Sequence, residues 1–337
     1  MKSRHKNDQI KPRGKRGKNI MLIFGILVSV MVVSMLVGAI LQATFFTSQK
    51  NTILPVGQLI AVEDGLMHVS SMGEGKETIV LLPGMGIGLP SVDFAPLMRK
   101  LSEKYTVVVV EYFGVGFSST TSIPRTSAQY VEEIRSALSN AGFNGPYVLM
   151  PHSISSVFSE YYASLYPDEI KAIISLDGTS TAMYEKMPNF VKSMLPIAKF
   201  QQTVGMTSLL ARLITNTKDL LSYGYTEQEI KDMIVFSGFA INNTLLEQIS
   251  ESAEFVGQTL KLPFPASVPY FKVISKQTYE KPNKQLRMTP QEYQFKHLER
   301  IGVHARFEIL EGSHFIYFNN VDRIVAITDE VLANTSN

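Results

Sequence analysis

The chain is 337 residues long, 45% hydrophobic and 18% charged, which suits one large globular domain with an added greasy segment. It has no cysteine, so disulfides, thiolate metal sites and cysteine nucleophiles are excluded together, while an extracellular setting stays open. The net charge of +2 averages two unlike pieces: a tail with Lys2, Arg4, Lys6, Lys11, Arg13, Lys15, Arg16 and Lys18 against Asp8, and a net acidic remainder. That split argues against a nucleic-acid-binding face.

Residues 1–18 read as a solvated, disordered charge run. From Ile20 to Leu41 there is no charged residue. As a helix rising about 1.5 Å per residue this run covers roughly 33 Å, enough to cross a bilayer core of about 30 Å. It is longer than the apolar stretch of a signal peptide, and no small-x-small cleavage site follows it. The segment 19–45 is therefore predicted to be an uncleaved transmembrane helix. The basic flank puts the N-terminus in the cytoplasm and residues 46–337 outside, with the tail held at anionic headgroups.

Beyond Asn51, short apolar runs alternate with amphipathic stretches, the pattern of an α/β protein with a mostly parallel sheet. Gln58–Glu63 and Leu66–Ser70 flank Asp64-Gly65, a hairpin signal. Six further strands are predicted at Thr78–Leu82, Thr106–Glu111, Tyr147–Met150, Ala172–Leu176, Tyr270–Ser275 and Arg306–Leu310, most of them continuously apolar as in strands buried on both faces. Helices are expected near 92–103, 127–141, 153–166, 290–300 and 320–333. From about 181 to 262 no strand-like run occurs, only helical patterns such as Phe190–Phe200, Thr207–Ile214 and Thr226–Phe236. This segment is predicted to be an inserted helical cap whose Met, Leu and Phe residues form a small core of their own. Pro263, Pro265 and Pro269 then end helix formation.

Residues Tyr147 to Ser159 read as a strand, a sharp turn and a helix, with Ser153 at the turn. A serine there projects from the carboxyl end of the strand, where ligands bind in open α/β sheets, and the following helix directs its N–H groups toward any anion formed nearby. Serine needs a base within hydrogen-bond reach to act as a nucleophile. Here the sequence resembles the α/β-hydrolase superfamily, whose nucleophile elbow is G-x-S-x-G. The resemblance runs through roughly residues 58–337 outside the cap. Pro151 and Ser155 stand at the two glycine positions and make the turn tighter. Leu81-Leu-Pro-Gly-Met-Gly-Ile-Gly88 follows a buried strand where the family has a His-Gly-x segment, with Pro83 for the His and Gly84 matching. The resemblance implies an oxyanion hole from the N–H groups of Met85 and Ile154. Glu111-Tyr-Phe-Gly114-Val-Gly116-Phe-Ser118 resembles the family's D-x-x-G-x-G-x-S, with Glu for Asp, and implies a structural role for that stretch.

The family's base is a histidine after the last strand, and Glu311-Gly-Ser-His314 fits that place. His5, His68, His152, His297 and His304 suit the role less well by position. The orienting acid follows the seventh strand in most relatives, where Glu280 is the nearby carboxylate, or the sixth in some, where Asp177 stands. Asp177 is preferred and Glu280 remains the alternative. The loop at 81–88 lacks the ending of a phosphate-binding loop, and the histidines show no metal-ligand spacing, so neither cofactor nor metal is expected. The resemblance implies a serine hydrolase acting through an acyl-enzyme on a small-molecule or lipid-like acyl substrate, esterase- or lipase-like by preference. The alternatives are a proline-type aminopeptidase, an acyltransferase, or a binding or signalling protein that keeps the fold without turnover.

Overall fold

The computed structural model describes residues 14–183, 189–282 and 288–335. The tail up to Arg13 and the stretch 184–188 of the insertion lie outside the described residues. Eight strands form one sheet: β1 (Gln58–Val62), β2 (Gly65–Met72), β3 (Thr78–Leu82), β4 (Thr106–Val110), β5 (Tyr147–Pro151), β6 (Ile170–Leu176), β7 (Tyr270–Ser275) and β8 (Arg306–Leu310). Their order is β1-β2-β4-β3-β5-β6-β7-β8. The β1–β2 and β2–β4 pairs are antiparallel, and every other pair is parallel.

The continuous apolar strands resolve into two faces once the sheet is formed. Val80, Leu82, Val108, Val110 and Leu149 join the core beneath helices Ser127–Asn140 and Ser155–Leu165. Their neighbours Ile79, Leu81, Val107, Val109, Val148 and Met150 face the opposite layer of Ala95–Leu101 and Val321–Thr335. Both sets are fully buried. Burying one such side chain is worth about 1.5–3 kcal/mol, so the central strands supply much of the stability. One local expectation shifts by a residue. The hairpin loop is Glu63-Asp64, with Glu63 at φ 48°, and Gly65 already pairs with Val62. Gly65 is needed for a close approach instead of a turn: a Cβ there would sit 2.4 Å from Ser119 Oγ and 2.8 Å from the Phe113 ring.

Between β6 and β7 the described chain forms helices Asn189–Thr203, Met206–Ile214, Thr217–Ser222, Glu227–Ser237 and Asn243–Leu260. Phe255 and Val256 of the last one belong to the main core, so that helix joins the insertion to the sheet layer. The small separate core is limited to Leu220, Tyr225 and Ile230 with their neighbours. Contrary to the expected cap core, Leu209, Leu213, Ile214 and Phe190 are exposed, because these helices turn their apolar stripe away from the sheet while Ser208 is fully buried.

The helix Gly14–Leu41 continues through one π-turn, Gln42–Phe46, into Thr47–Thr52. Among the described residues it is the one helix long and apolar enough to cross a membrane. Its end is docked on the insertion. Ser208 Oγ donates to Gln42 Oε1 at 2.7 Å, Arg212 donates to Gln49 Oε1 at 2.5 Å, and the Arg212 guanidinium lies 4.5 Å from the Phe46 ring centre.

A buried carboxyl ties the insertion to the opposite layer. Asp93 accepts a hydrogen bond from the Tyr317 hydroxyl through its side chain and from the Tyr225 hydroxyl through its carbonyl. Burial pushes the Asp93 carboxyl up to about 7, against the opposing effect of the Tyr317 hydrogen bond. A carboxyl whose folded value is raised binds its proton more tightly in the native state. Its contribution to stability therefore falls as pH rises from the unfolded value through about 7, and is level above that. For Asp93→Asn we expect the midpoint of thermal unfolding, variant minus wild type, to increase from pH 4 to pH 8 by the equivalent of about 1–4 kcal/mol. Equal midpoint differences at both pH values would show that Asp93 is not so shifted.

Candidate active site

Parallel pairing brings the carboxyl ends of β5, β6 and β7 to one edge of the sheet. Ser153 follows β5 after His152, at φ 54°, and Asp177 follows β6 directly at φ 46°. The Ser153 N–H donates to Leu176 O at 3.2 Å, and the Asp177 N–H donates to Val273 O at 2.8 Å, so each turn rests on the next strand. His314 arrives from the loop after β8. Its Nε2 is 2.9 Å from Ser153 Oγ, and its Nδ1 is 2.7 Å from Asp177 Oδ2. The three side chains thus form one hydrogen-bonded relay from stretches far apart in the chain. Glu280 is exposed at the end of helix Lys276–Glu280, and the imidazole bonds to Asp177, not to Glu280.

Asp177 is buried and held from several sides. Its Oδ1 accepts from the Ser275 N–H at 2.8 Å, and its Oδ2 accepts from Ser275 Oγ at 3.0 Å and Thr278 Oγ1 at 2.6 Å. Burial alone would raise the carboxyl, but the bonds from His314, Thr278 and the Ser275 N–H outweigh it and hold Asp177 below the usual carboxylate range. An ionised acid there favours the imidazole tautomer with the proton on Nδ1, which leaves Nε2 as an acceptor facing the Ser153 hydroxyl.

His152 bonds to the loop that carries His314, and its ring centre lies 4.7 Å from that of His314. Its Nε2 lies 3.0 Å from the His314 carbonyl, which fixes that nitrogen as the donor. Burial, together with the neighbouring His314, depresses the ring to about 3, so it stays neutral and braces the loop that carries His314. Gly84 packs against both residues: a Cβ there would stand 2.5 Å from His152 Nδ1 and 3.1 Å from Ser153 Cβ. This close approach accounts for the glycine after Pro83. Among the described residues, neither the Met85 nor the Ile154 N–H donates to a backbone or side-chain acceptor.

Both departures at the elbow have local explanations. Pro151 has no N–H to give. The β5–β6 pairing stops at Leu149–Ile173 and resumes at the His152–Leu176 bridge, so the proline sits in the gap. Ser155 donates to Pro83 O at 2.5 Å and lies 2.7 Å from the Tyr112 hydroxyl, which must then be the donor. The serine pins the loop after β3 to the elbow. Glu111, standing where the family has Asp, accepts from the Ser91 and Phe117 N–H groups at 3.0 and 2.8 Å and lies 3.0 Å from the buried His68. Its extra methylene fits because residue 116 is glycine: a Cβ there would lie 2.0 Å from Glu111 Oε2. Ser275, Thr278 and the bracing role of His152 escape sequence reasoning. The one signal available was the Ser-Lys-Gln-Thr run after β7, which places two hydroxyls three residues apart. Restoring the family pattern by Ser155→Gly should destabilise the protein by about 1–3 kcal/mol, since it orphans the buried Tyr112 hydroxyl and the Pro83 carbonyl. Urea unfolding of the variant checks this, and a midpoint equal to wild type would refute the pinning role.

Comparison with known proteins agrees with this architecture. Residues 77–211 match a family model described as the alpha/beta hydrolase fold. An uncharacterized Bacillus subtilis protein, YbdG, is 27% identical over 285 residues, covering 82% of this chain and 85% of its own length. Among solved structures, the enol-lactonase of Burkholderia xenovorans superposes with a TM-score of 0.60 at 16% identity, over 82% of this chain and 100% of that one. A carboxylesterase of Nitrososphaera gargenis gives 0.58 at 13% identity, over 83% and 99%. With the match over the elbow, this strand order and the superposition on these hydrolases, the chain has the α/β-hydrolase fold.

Proposed function

We propose that the chain is a serine hydrolase that cleaves esters through an acyl-enzyme, held at a membrane by its N-terminal helix. The observation that carries this reading is the Ser153–His314–Asp177 relay, with 2.9 and 2.7 Å separations, at the carboxyl edge of the sheet. Ser153 Oγ attacks the acyl carbonyl while His314 Nε2 takes its proton. The Met85 and Ile154 N–H groups hold the oxyanion, a contribution of about 3–4 kcal/mol per donor in comparable sites. His314 returns the proton to the leaving alcohol, and water then releases the acyl group by the same steps in reverse. Asp177 keeps the imidazole in its tautomer and offsets the charge that develops on it.

The preference for an ester with an apolar acyl part draws on a cavity of about 280 Å³ next to the loop after β3, lined by Ile87, Phe236, Phe239 and Leu245 together with the polar Lys50, Gln202 and Asn242. Its size is at the lower end of ligand pockets. The names of the esterase and lactonase that share the fold point the same way. For the N-terminal helix, the basic residues before it and the weakly charged stretch after it favour a cytoplasmic N-terminus with the hydrolase domain outside.

A fluorophosphonate probe is expected to label the wild type at residue 153, and Ser153→Ala and His314→Ala to abolish labelling. An unlabelled wild type, or undiminished labelling of Ser153→Ala, would defeat the hydrolase reading. Asp177→Asn would turn an amide N–H toward Nδ1 and favour the wrong tautomer. It should lower kcat for a p-nitrophenyl ester by about 10³–10⁴-fold with little change in KM. A loss under about tenfold would remove Asp177 from the relay and make Glu280→Gln the next variant to measure.

A further inference from the structure

We infer that helices Asn189–Thr203 and Met206–Ile214 lie in the interface of the bilayer crossed by the chain's own N-terminal helix, which makes the cap a second membrane contact. The inference rests on reading that helix as a membrane span. Two independent features of the cap point to lipid.

The first is an apolar stripe that faces outward. On Met206–Ile214 the residues Met206, Leu209, Leu210, Leu213 and Ile214 recur at i, i+3, i+4, i+7 and i+8, the spacing of one helix face. In a water-soluble cap that face would be turned inward. Here Leu213 and Ile214 are 71% and 75% exposed while Ser208 is fully buried. The preceding helix repeats the arrangement with Phe190, Met194, Ile197 and Phe200, of which Phe190 is 72% exposed. An outward apolar face of this extent needs a partner. Over residues 189–214, which span the two helices, the charged residues are Lys192, Lys199 and Arg212, and the first acid after them is Asp219. Apolar face and cationic flank together match an anionic lipid surface and would repel a basic partner.

The second feature is height. The turn between these helices touches the N-terminal helix backbone to backbone. A Cβ on Gly38 would lie 2.2 Å from Val204 O, and one on Gly205 would lie 2.7 Å from Gly38 O, so only glycine permits the contact. Gly38 is three residues inside the end of the apolar run, about 5 Å of helix rise before Leu41. The cap is thus fastened at the level where hydrocarbon gives way to headgroups. Interfacial helices bury their apolar faces to a depth of about 5–10 Å at that level.

The chain has no tryptophan, so single replacements report their own surroundings. The full chain carrying Leu213→Trp, Ile214→Trp, Val33→Trp or Val303→Trp would be reconstituted in phosphatidylglycerol–phosphatidylcholine vesicles containing acyl-brominated lipid. Val33 lies within the N-terminal helix, and Val303, 95% exposed, precedes β8. The expected result is at least about a twofold loss of emission at 213, 214 and 33 and none at 303. Quenching at 33 with none at 213 or 214 would overturn the docked cap and leave the anchor standing. Blue-shifted but unquenched emission at 213 and 214 would show a second copy covering the stripe and overturn the inference as well. No quenching at any position would overturn both the anchor and the docked cap.

Discussion

The left-handed backbone at Ser153 is the constraint on which the site depends. A residue with a side chain gives up about 1–2 kcal/mol in this region, and the geometry persists only where its surroundings over-determine it. The turn at Ser153 leans on Leu176 through its N–H, and its carbonyl accepts from the Thr179 N–H at 3.0 Å. The turn at Asp177, also left-handed, leans in turn on Val273. Three parallel strands therefore brace one another at their carboxyl ends, and the register of the sheet becomes the register of the relay. Had β6 slipped by one residue against β5, its side chains would have changed faces and Asp177 would no longer meet the imidazole.

One closed set of buried polar groups lies near this edge, while His152 Nδ1 and Ser159 Oγ are buried without a hydrogen-bond partner. Below the elbow, Glu160 of the Ser155–Leu165 helix accepts from His297 Nε2 at 2.8 Å, Arg300 at 3.0 Å and the Tyr270 hydroxyl at 3.1 Å. Burial opposes its ionisation, but His297 and Arg300 outweigh that and hold the carboxyl low. Lys272 on β7 is fully buried and lies 2.6 Å from His297 Nδ1. Desolvation brings its ammonium down to about 8 despite Glu160 and Asp177 nearby. Removing one member of such a set strands the others without water, so these residues fix the relation of β7 to the elbow helix more than they add to net stability.

Much of this was legible along the chain, and the limits have physical causes. The β-branched runs and the strand–turn–helix around Ser153 are local patterns, so the sheet and the turn could be read directly. The place of His314 after the last strand is likewise a matter of order. The choice between Asp177 and Glu280 was only a preference, because it depends on Ser275 and Thr278 closing around one carboxylate in space. Periodicity shows which residues share a helix face but not which way the face points, so the apolar stripe of Met206–Ile214 reads as core when it is surface. Asp93, Tyr225 and Tyr317 come from three distant segments and leave no trace at the level of sequence. Helix Asn243–Leu260 carries Leu245, Ile249, Ala253, Val256 and Leu260 at helical spacing, but that pattern does not say that its end joins the main core instead of the insertion.

The seam between the N-terminal helix and the helical insertion bears on where the chain can be cut. Gln42 and Phe46 are buried, and the Ser208 hydroxyl finds its acceptor on Gln42. A fragment starting near residue 53 would keep every member of the relay yet expose the surface of the insertion on which that helix rests. Arg212 would lose both Gln49 and the Phe46 ring. Removing residues 14–52 would also take away Lys50, which lines the cavity with Phe236 and Phe239, so the enclosure itself would change.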